Sequence, residues 1–240
     1  MKREYQNNYA AGRVQMYDKK TREQKGIRIT KTLSDFFGEN KIKKLKLLDV
    51  GASTGIIDNV LAKSFKEVIG TDIDKDAIKF ATKSFVKKNL KFKDEDAMNM
   101  TFKNNSFDIV VCTHVYEHVP NPKKLFSEIY RVLKPGGACY LAAQNKLWPL
   151  EAHHNLLFLS YLPKNLADIY IRMFRNKKEY YEHPMNYWEL QKALKKFKVH
   201  DYTPKILSEP KKFGYSNKSI GIVGSLFTYF TPTLFWIIEK

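Results

Sequence analysis

The sequence of 240 residues contains few of the residues that mark specialised protein classes. Its two cysteines, Cys112 and Cys139, are too few for a zinc-finger array or a disulfide scaffold. The chain has 11 glycines, 9 prolines and 14% aromatic residues, a composition that excludes collagen-like and disordered proteins. The N-terminal segment MKREYQNNYA lacks the apolar stretch of a secretory signal, so we expect a reducing, cytoplasmic setting.

Acidic residues are also scarce. Lys and Arg number 42 against 25 Asp and Glu, which gives a net charge of +17. Residues 1–46 carry 13 basic and 5 acidic side chains, and residues 160–218 carry 13 and 6, so the excess flanks a nearly neutral centre. Basic flanks attract RNA, anionic lipid or a phosphorylated substrate, although simple solubility is an equal alternative.

Short apolar runs alternate with helical spacings through the centre of the chain. The runs typical of buried strands are 46–50, 67–71, 90–92, 107–112 and 138–143; helical spacings occupy 54–65, 74–86 and 121–133. Strands that are apolar on both faces and separated by helices predict an α/β fold with a parallel, doubly wound sheet.

A turn at the end of the first predicted strand indicates a ligand site. Ligands of such sheets bind at the carboxyl ends of the strands, and the segment 49–55 (DVGASTG) opens there onto a helix. Its glycines let the backbone approach a ligand, and Asp72, ending the second strand, can accept hydrogen bonds from ribose hydroxyls. The pattern therefore indicates a nucleoside cofactor, while the dinucleotide and Walker glycine patterns are both missing.

Four segments, taken together, resemble the class I S-adenosylmethionine-dependent methyltransferases. They are LLDVGASTG (47–55), VIGTDID (68–74), the stretch 94–122 with SFDIVV and EHV, and LFSEIYRVLKPGGACYLAAQN (125–145). The resemblance implies S-adenosylmethionine as cofactor and a Rossmann-like, doubly wound sheet of seven strands. That sheet would be mostly parallel, with a C-terminal antiparallel strand and a helical insertion after the fifth strand.

The resemblance also implies a division within a single domain. Residues 1–45 would form a basic, helical N-terminal segment or lid, and 46–145 the cofactor-binding core. Residues 146–196 would be the substrate-specificity insertion, and 197–240 the strands that complete the sheet. We expect these last strands at 199–206 and 233–238, with a helix near 187–196.

The methionine part of the cofactor would lie on the glycine turn. The resemblance implies that Gly51, Ala52, Ser53 and Gly55 line this turn and that Asp49 braces it through backbone N–H groups. The sequence departs from the commonest motif at Ser53, where a second glycine is usual.

The nucleoside would lie along the following strands. The resemblance implies that Asp72 and Ile73 hold the ribose and one adenine face. Asp96 would accept from the adenine amino group, with Ala97 and Met98 covering the ring. Two residues after the fourth strand would reach the methionine end: Thr113 and His114.

The segment after residue 145 loosely resembles the ubiquinone O-methyltransferases, in which an Asn, a Trp, a Glu-x-x-His and a Leu-Pro recur. Glu151 and His154 would share one face of a helix. With His183 they could bind a divalent metal, act as base and orienting group, or form a hydrogen-bonded pocket wall. No metal is otherwise expected. His118 is a further catalytic candidate, and His153 is expected at the surface.

Two further segments suggest how the protein meets its substrate. Tyr5, Tyr9, Arg13 and Tyr17 would form one stripe on a helix, which predicts a lid over the cofactor, with a frayed basic tail as the alternative. In the insertion, residues 156–162, Trp148 and Phe174 would line an apolar acceptor cleft. Its basic rim would comprise Lys164, Arg172, Arg175, Lys177 and Lys178.

The sequence thus predicts a methyltransferase acting at oxygen of a small-molecule or lipid- or glycan-linked acceptor. It would be cytoplasmic, with peripheral contact to the anionic inner face of a membrane. The uncharged stretch 219–238 has the length of a membrane span, but Pro232 and several polar residues favour a loop and a strand. An RNA methyltransferase and a non-catalytic binding module remain the alternatives.

Overall fold

A computed structural model of the protein describes residues 6–7, 9–216 and 225–240. Within them the strands are β1 (Lys46–Val50), β2 (Glu67–Asp72), β3 (Leu90–Asp94), β4 (Phe107–Thr113), β5 (Leu133–Gln144), β6 (Leu150–Glu151), β7 (Leu156–Leu157), β8 (Lys198–Asp201) and β9 (Thr233–Glu239). The α-helices are α1 (Lys19–Phe37), α2 (Glu39–Ile42), α3 (Ile56–Leu61), α4 (Lys75–Ser84), α5 (Pro122–Val132), α6 (Lys164–Arg175), α7 (Tyr187–Ala193) and α8 (Thr203–Ser208). Short 3-10 helices lie at Val14–Met16, Tyr116–His118, Leu159–Tyr161 and Ser225–Phe230.

Seven strands form one sheet in the order β3-β2-β1-β4-β5-β9-β8. The pairs from β3 to β5 are parallel, and β9 runs antiparallel between β5 and β8. The predicted fold class is therefore confirmed. Because the strand order reverses between β1 and β4, the carboxyl ends of these strands form the crevice in which such sheets bind ligands.

Alternate residues of each central strand enter different hydrophobic cores. Leu48 and Val50 of β1 pack in one core with the apolar faces of α5 and α7, whereas Leu47 packs in the other core with α1 and α3. The two cysteines are free and fully buried in the first core. Since both sheet faces are covered, the crevice at the strand ends is where a ligand can reach the sheet.

The C-terminal part differs from the sequence prediction at one strand. The strand predicted at 199–206 ends at Asp201, and the chain continues as helix α8. Pro204 lies in the first turn of α8, where its missing N–H costs nothing, and the Asp201 carboxylate accepts from the N–H of Thr203 (2.8 Å). Helix α8 also provides part of a cavity wall.

The insertion combines a β-hairpin with a helix. β6 and β7 pair antiparallel, and α6 follows. The predicted helix carrying Glu151 and His154 is therefore wrong: Glu151 ends β6 and His154 lies in the hairpin turn. In the described part of the chain, no helix has the length and apolar character needed to cross a membrane. Residues 219–224 of the uncharged stretch lie outside the described residues.

Candidate active site

The turn after β1 is held by the neighbouring strand. The N–H groups of Gly51 and Ala52 donate to the Thr71 carbonyl (2.8 and 2.9 Å), and the N–H of Ser53 donates to Oδ2 of Asp72 (2.8 Å). The predicted brace by Asp49 is therefore wrong. Burial of the Asp49 carboxyl raises its pKa to about 7, although the charge of Arg22 lowers it.

Left-handed backbone shapes this turn. Gly51 and Gly55 have φ values of 87° and 73°, and Ser53, at the unusual position of the motif, also lies at φ 53°. A Cβ at Gly55 would lie 2.6 Å from the Phe92 ring and 2.7 Å from Ala81, so this glycine also permits close packing of α3. The geometry explains why a small residue is needed at each position.

A cavity of about 380 Å³ opens above this turn, at the carboxyl ends of β1, β2 and β4. Six of the predicted cofactor residues line it: Gly51, Ser53, Asp72, Ile73, Thr113 and His114. A side pocket of about 50 Å³ continues past Ala97 and Glu95. The remaining predicted residues line neither space: Asp49, Ala52, Gly55, Asp96 and Met98.

The N-terminal segment forms one wall of this cavity, from Gln6 to Met16. Its predicted helix is wrong in the described residues, which form turns and one short 3-10 helix, and Tyr5 lies outside them. The N–H of Ala10 donates to Oδ2 of Asp74 (3.0 Å), and Thr54 Oγ1 donates to the Met16 carbonyl (2.6 Å). These bonds hold the segment against the sheet end.

Two of the predicted stripe residues lie in the cavity wall and one does not. The Arg13 guanidinium lies 4.1 Å from the centroid of the Tyr9 ring, and both residues line the cavity. Tyr17 instead packs edge-on against Phe80.

Histidines and glutamates gather at one end of the cavity. His118 Nε2 lies 3.1 Å from Nε2 of His153, and both residues line the cavity. The expectation of a surface His153 is therefore wrong, because Oε1 of Glu151 lies 3.0 Å from its Nδ1 and turns the ring inward. Burial lowers the pKa of His118 to about 4, so this ring is neutral at physiological pH.

The pKa of His153 shifts in the opposite direction. Burial opposes its charged form, but the hydrogen bond to Glu151 and the charges of Glu182 and Glu117 raise the pKa above its usual value. Burial therefore favours the neutral form of His118, whereas the acidic neighbours of His153 favour its protonated form.

Glu151 and His154 support this cluster rather than line the cavity. The buried Glu151 carboxylate accepts from the N–H groups of His153 (2.9 Å) and His154 (2.7 Å) and from Gln144 Nε2 (2.9 Å). His154 Nε2 lies 3.1 Å from Oε2 of Glu182. Burial opposes ionisation of Glu182, yet His154 and the nearby histidine charges lower its pKa to about 2.

The predicted metal set is not brought together. In the described part of the chain, three potential ligand atoms within 4.8 Å of one another come instead from Glu117, His118 and His153. The backbone N–H of His183 donates to the Glu117 carbonyl (2.8 Å), and its side chain is not part of this group.

A second pair joins His114, in the cavity wall, to the buried Glu117. His114 directly follows β4 with φ 54°, and its Nδ1 lies 3.3 Å from Oε1 of the fully buried Glu117. Although burial opposes ionisation, the nearby ring of His114 and the charges of the other histidines lower the pKa of Glu117. A carboxylate held at Nδ1 leaves Nε2 of His114 as the ring nitrogen that can accept a proton.

A second cavity, of about 510 Å³, adjoins the first. The two share Lys25, Ile57, Thr113 and His114. Its wall comes from α1, α8, β5 and β9 and is largely apolar, with Trp148 at one side. Of the apolar residues predicted to line an acceptor cleft, Trp148 lines this cavity, whereas the others named lie elsewhere: Leu156 and Leu159 pack in a separate small core, and Leu157 and Phe174 are exposed.

Comparisons with known proteins agree with this geometry. Residues 48–141 match the family described as "Methyltransferase domain". Over 107 residues, the chain is 29% identical to a ubiquinone biosynthesis O-methyltransferase of Coxiella burnetii, covering 44% of this chain and 46% of that protein. The chain thus spans less than half the length of this curated relative.

Solved structures share the fold. An S-adenosylmethionine-dependent methyltransferase from Mesorhizobium loti has a TM-score of 0.60 at 13% identity, covering 87% of this chain and 96% of that one. The Haemonchus contortus phosphoethanolamine N-methyltransferase 2, solved with S-adenosyl-L-methionine, has a TM-score of 0.53 at 19% identity, covering 82% and 49%. Residues 48–141 therefore match a methyltransferase domain, and the chain has the fold of these solved S-adenosylmethionine-dependent methyltransferases.

The cavity residues fit the cofactor of this class. The left-handed turn at Gly51 brings backbone close to the cavity, and Asp72 places a carboxylate at the end of β2. Sequence reasoning found these residues but missed Gln6, Met16, Arg22 and Lys25, which line the cavity from outside the matched domain. The spacing of Tyr9 and Arg13 was the one sequence signal for that wall.

Proposed function

We propose that this protein transfers the methyl group of S-adenosylmethionine to an oxygen of a small-molecule acceptor. The junction of the two cavities at Thr113 and His114 carries the proposal. Methyl transfer needs the acceptor atom in line with the sulfonium, and two adjoining cavities allow this placement. The O-methyltransferase name of the Coxiella relative supports oxygen as the acceptor atom.

When bound, the cofactor supplies an electrophilic methyl group on a sulfonium. Gly51, Ser53, Asp72 and Ile73 would hold it in the first cavity, and the side pocket at Ala97 would receive the adenine end. The segment from Gln6 to Met16 would exclude water from one side, as a lid does.

His114 is the proposed general base. It lines both cavities, so its Nε2 can reach an acceptor hydroxyl while Glu117 holds Nδ1. Nε2 of His114 would accept the hydroxyl proton as the acceptor oxygen takes up the methyl group. The buried carboxylate of Glu117 stabilises the imidazolium that results.

The other candidates take supporting roles in this proposal. The Nε2 atoms of His118 and His153 lie 3.1 Å apart at the cavity wall, and Glu151 orients His153. His154 is a positioning residue, because its ring pairs with Glu182 and does not line the cavity.

The proposal includes a peripheral contact between α6 and an anionic membrane surface. This helix buries Ala167 and Ile171, yet Leu166, Ile169 and Met173 on its opposite side are 52%, 47% and 72% exposed. Residues spaced by three and four share one helix face, and Arg172 lies beside it. An apolar helix face with adjacent cations is typical of interfacial helices. Lys164 contributes less than expected because it pairs with Asp168 (2.6 Å).

Transfer of an isotopically labelled methyl group tests the function. The protein is incubated with labelled S-adenosylmethionine and separate small-molecule, lipid and RNA fractions. We expect label on oxygen in a small-molecule or lipid fraction, and at least a tenfold lower yield with Asp72→Ala at limiting cofactor, as loss of a charged hydrogen-bond partner predicts. Label found only in RNA, or no S-adenosylhomocysteine formed with any fraction, would contradict the proposal.

A further inference from the structure

The second cavity has an unbalanced charge in an otherwise apolar wall. Ile29, Ile206 and Phe235 represent the apolar part, contributed by α1, α8 and β9. Lys25 and Arg28, three residues apart on α1, place two cations in the same wall. Apolar ligand pockets typically orient their ligand through a few such polar groups.

Neither cation has a carboxylate within 4.0 Å among the described residues. The two acidic residues of α1 pair with other cations: Glu23 with Lys19 (4.0 Å), and Asp35 with Lys205 (2.5 Å) and Lys212 (2.7 Å). Partial desolvation and the charges of Arg22 and Arg28 lower the pKa of Lys25, so an anion placed here would relieve repulsion between cations.

Arg28 is held in a fixed orientation. Its guanidinium carbon lies 4.1 Å from the centroid of the Tyr215 ring, and its Nε donates to the Gly214 carbonyl (3.4 Å). Among the residues that the structure describes, neither Nη group has a hydrogen-bond acceptor. A planar guanidinium held through its face and Nε presents its Nη groups as donors for a carboxylate.

We propose that the second cavity binds an apolar, ring-containing acceptor that carries a carboxylate, which Arg28 and Lys25 hold. This inference rests on the proposed methyl transfer for the identity of the cavity as the acceptor site. The apolar wall takes the ring system, and the two cations fix its orientation relative to the junction, where Lys25 lies with Thr113 and His114. Charge on the acceptor, rather than apolar size alone, selects the substrate.

The test compares 2-naphthoate with 2-naphthamide, which have nearly the same shape but differ in charge. Both are titrated calorimetrically into the full-length protein saturated with S-adenosylhomocysteine. We expect naphthoate to bind about tenfold to a hundredfold more tightly, the range for hydrogen bonds to a charged partner. Arg28→Gln should remove this preference, Arg28→Lys should keep part of it, and naphthamide affinity should stay unchanged in both.

A location readout and a matched control complete the test. Naphthoate should quench the fluorescence of Trp148 in the cavity wall, and this quenching should disappear in Trp148→Phe while Trp188 and Trp236 remain. Arg172→Gln makes the same substitution on α6, outside the cavity, and should behave as wild type.

Equal affinity for the two compounds, or a preference that survives Arg28→Gln, would overturn the inference. So would failure of naphthoate to bind a protein that binds S-adenosylhomocysteine, and this result would leave the proposed methyl transfer standing. A charge preference that depends on Arg28 in a protein without methyl transfer activity would instead support the site and refute the proposed function.

Discussion

His118 should make the folded protein sensitive to acid. Its imidazole lies in the cavity wall with Nε2 3.1 Å from the His153 ring, and burial lowers its pKa from 6.5 to about 4. Between these two values, the unfolded chain binds a proton at this residue that the folded protein does not bind. The free energy of unfolding should therefore fall as the pH falls through this window.

The size of this pKa shift sets the magnitude. A difference of about 2.5 in pKa, at ~1.36 kcal/mol for each unit, corresponds to about 3 kcal/mol of stability lost by pH 4. His153 acts in another range: because its folded pKa is raised, its contribution is complete below the unfolded pKa and is lost as the pH rises through the folded pKa. The acid window therefore reports on His118 rather than on His153.

Urea unfolding of wild type and His118→Gln at pH 7 and pH 4.5 measures this effect. We expect wild type to lose about 2–3 kcal/mol more than the variant over this range. His200→Gln is the matched control, because His200 lies on β8 in a partly exposed pair with Glu239 (2.9 Å), which is worth little. If wild type and His118→Gln lose the same stability on acidification, the assignment of a neutral, buried His118 is refuted.

Three other predictions follow from the site. In His114→Asn, the asparagine tolerates the left-handed backbone at this position. This variant should lower kcat by about 10²–10⁴-fold with little change in S-adenosylhomocysteine affinity. A kcat within a few-fold of wild type would refute the role of His114 as base. Deleting residues 1–17 removes one cavity wall and should reduce turnover without unfolding the sheet; full activity would exclude a lid. Met173→Ser should weaken sedimentation with anionic vesicles at low salt, with Val86→Ser, also an exposed apolar residue, as control; equal binding by both would count against the α6 contact.

The sheet could be predicted because each strand has a short apolar run with a clear end. The alternation of Leu47 and Leu48 between two cores is visible as continuous apolar sequence, which is typical of strands covered on both faces. The turn at Gly51 and the carboxylate at Asp72 follow from the same local pattern. These features depend on residues close together in the chain.

The histidine cluster could not be predicted because it depends on distant segments. His118 follows β4, and His153 lies in the β6–β7 hairpin, so only the folded insertion brings their rings together. The hairpin also places His153, which was expected at the surface, in the cavity wall. Glu151 accepts hydrogen bonds from two backbone N–H groups of this turn, and its contact with the His153 ring directs that ring inward. The spacing of Glu151 and His154 instead predicted a helix with both side chains on one face.

The second cavity escaped prediction for a related reason. Its wall joins α1 to α8 and β9, which are far apart in sequence, and α8 itself was expected to continue a strand. Thr203 bonded to Asp201, with Pro204 next, starts a helix where the apolar pattern alone favoured β structure. The acceptor cleft was therefore assigned to residues 156–162 instead.

Calorimetric titration with S-adenosylhomocysteine tests most directly whether the cavity above β1 and β2 binds the cofactor. We expect one molecule bound per chain, and an affinity loss of about 1.5–3 kcal/mol in Asp72→Ala, the scale of hydrogen bonds to a charged group. Asp76→Ala, which removes an exposed carboxylate from the first turn of α4, should bind as wild type does. No binding by the folded wild-type protein, or equal affinity in Asp72→Ala and wild type, would contradict the account.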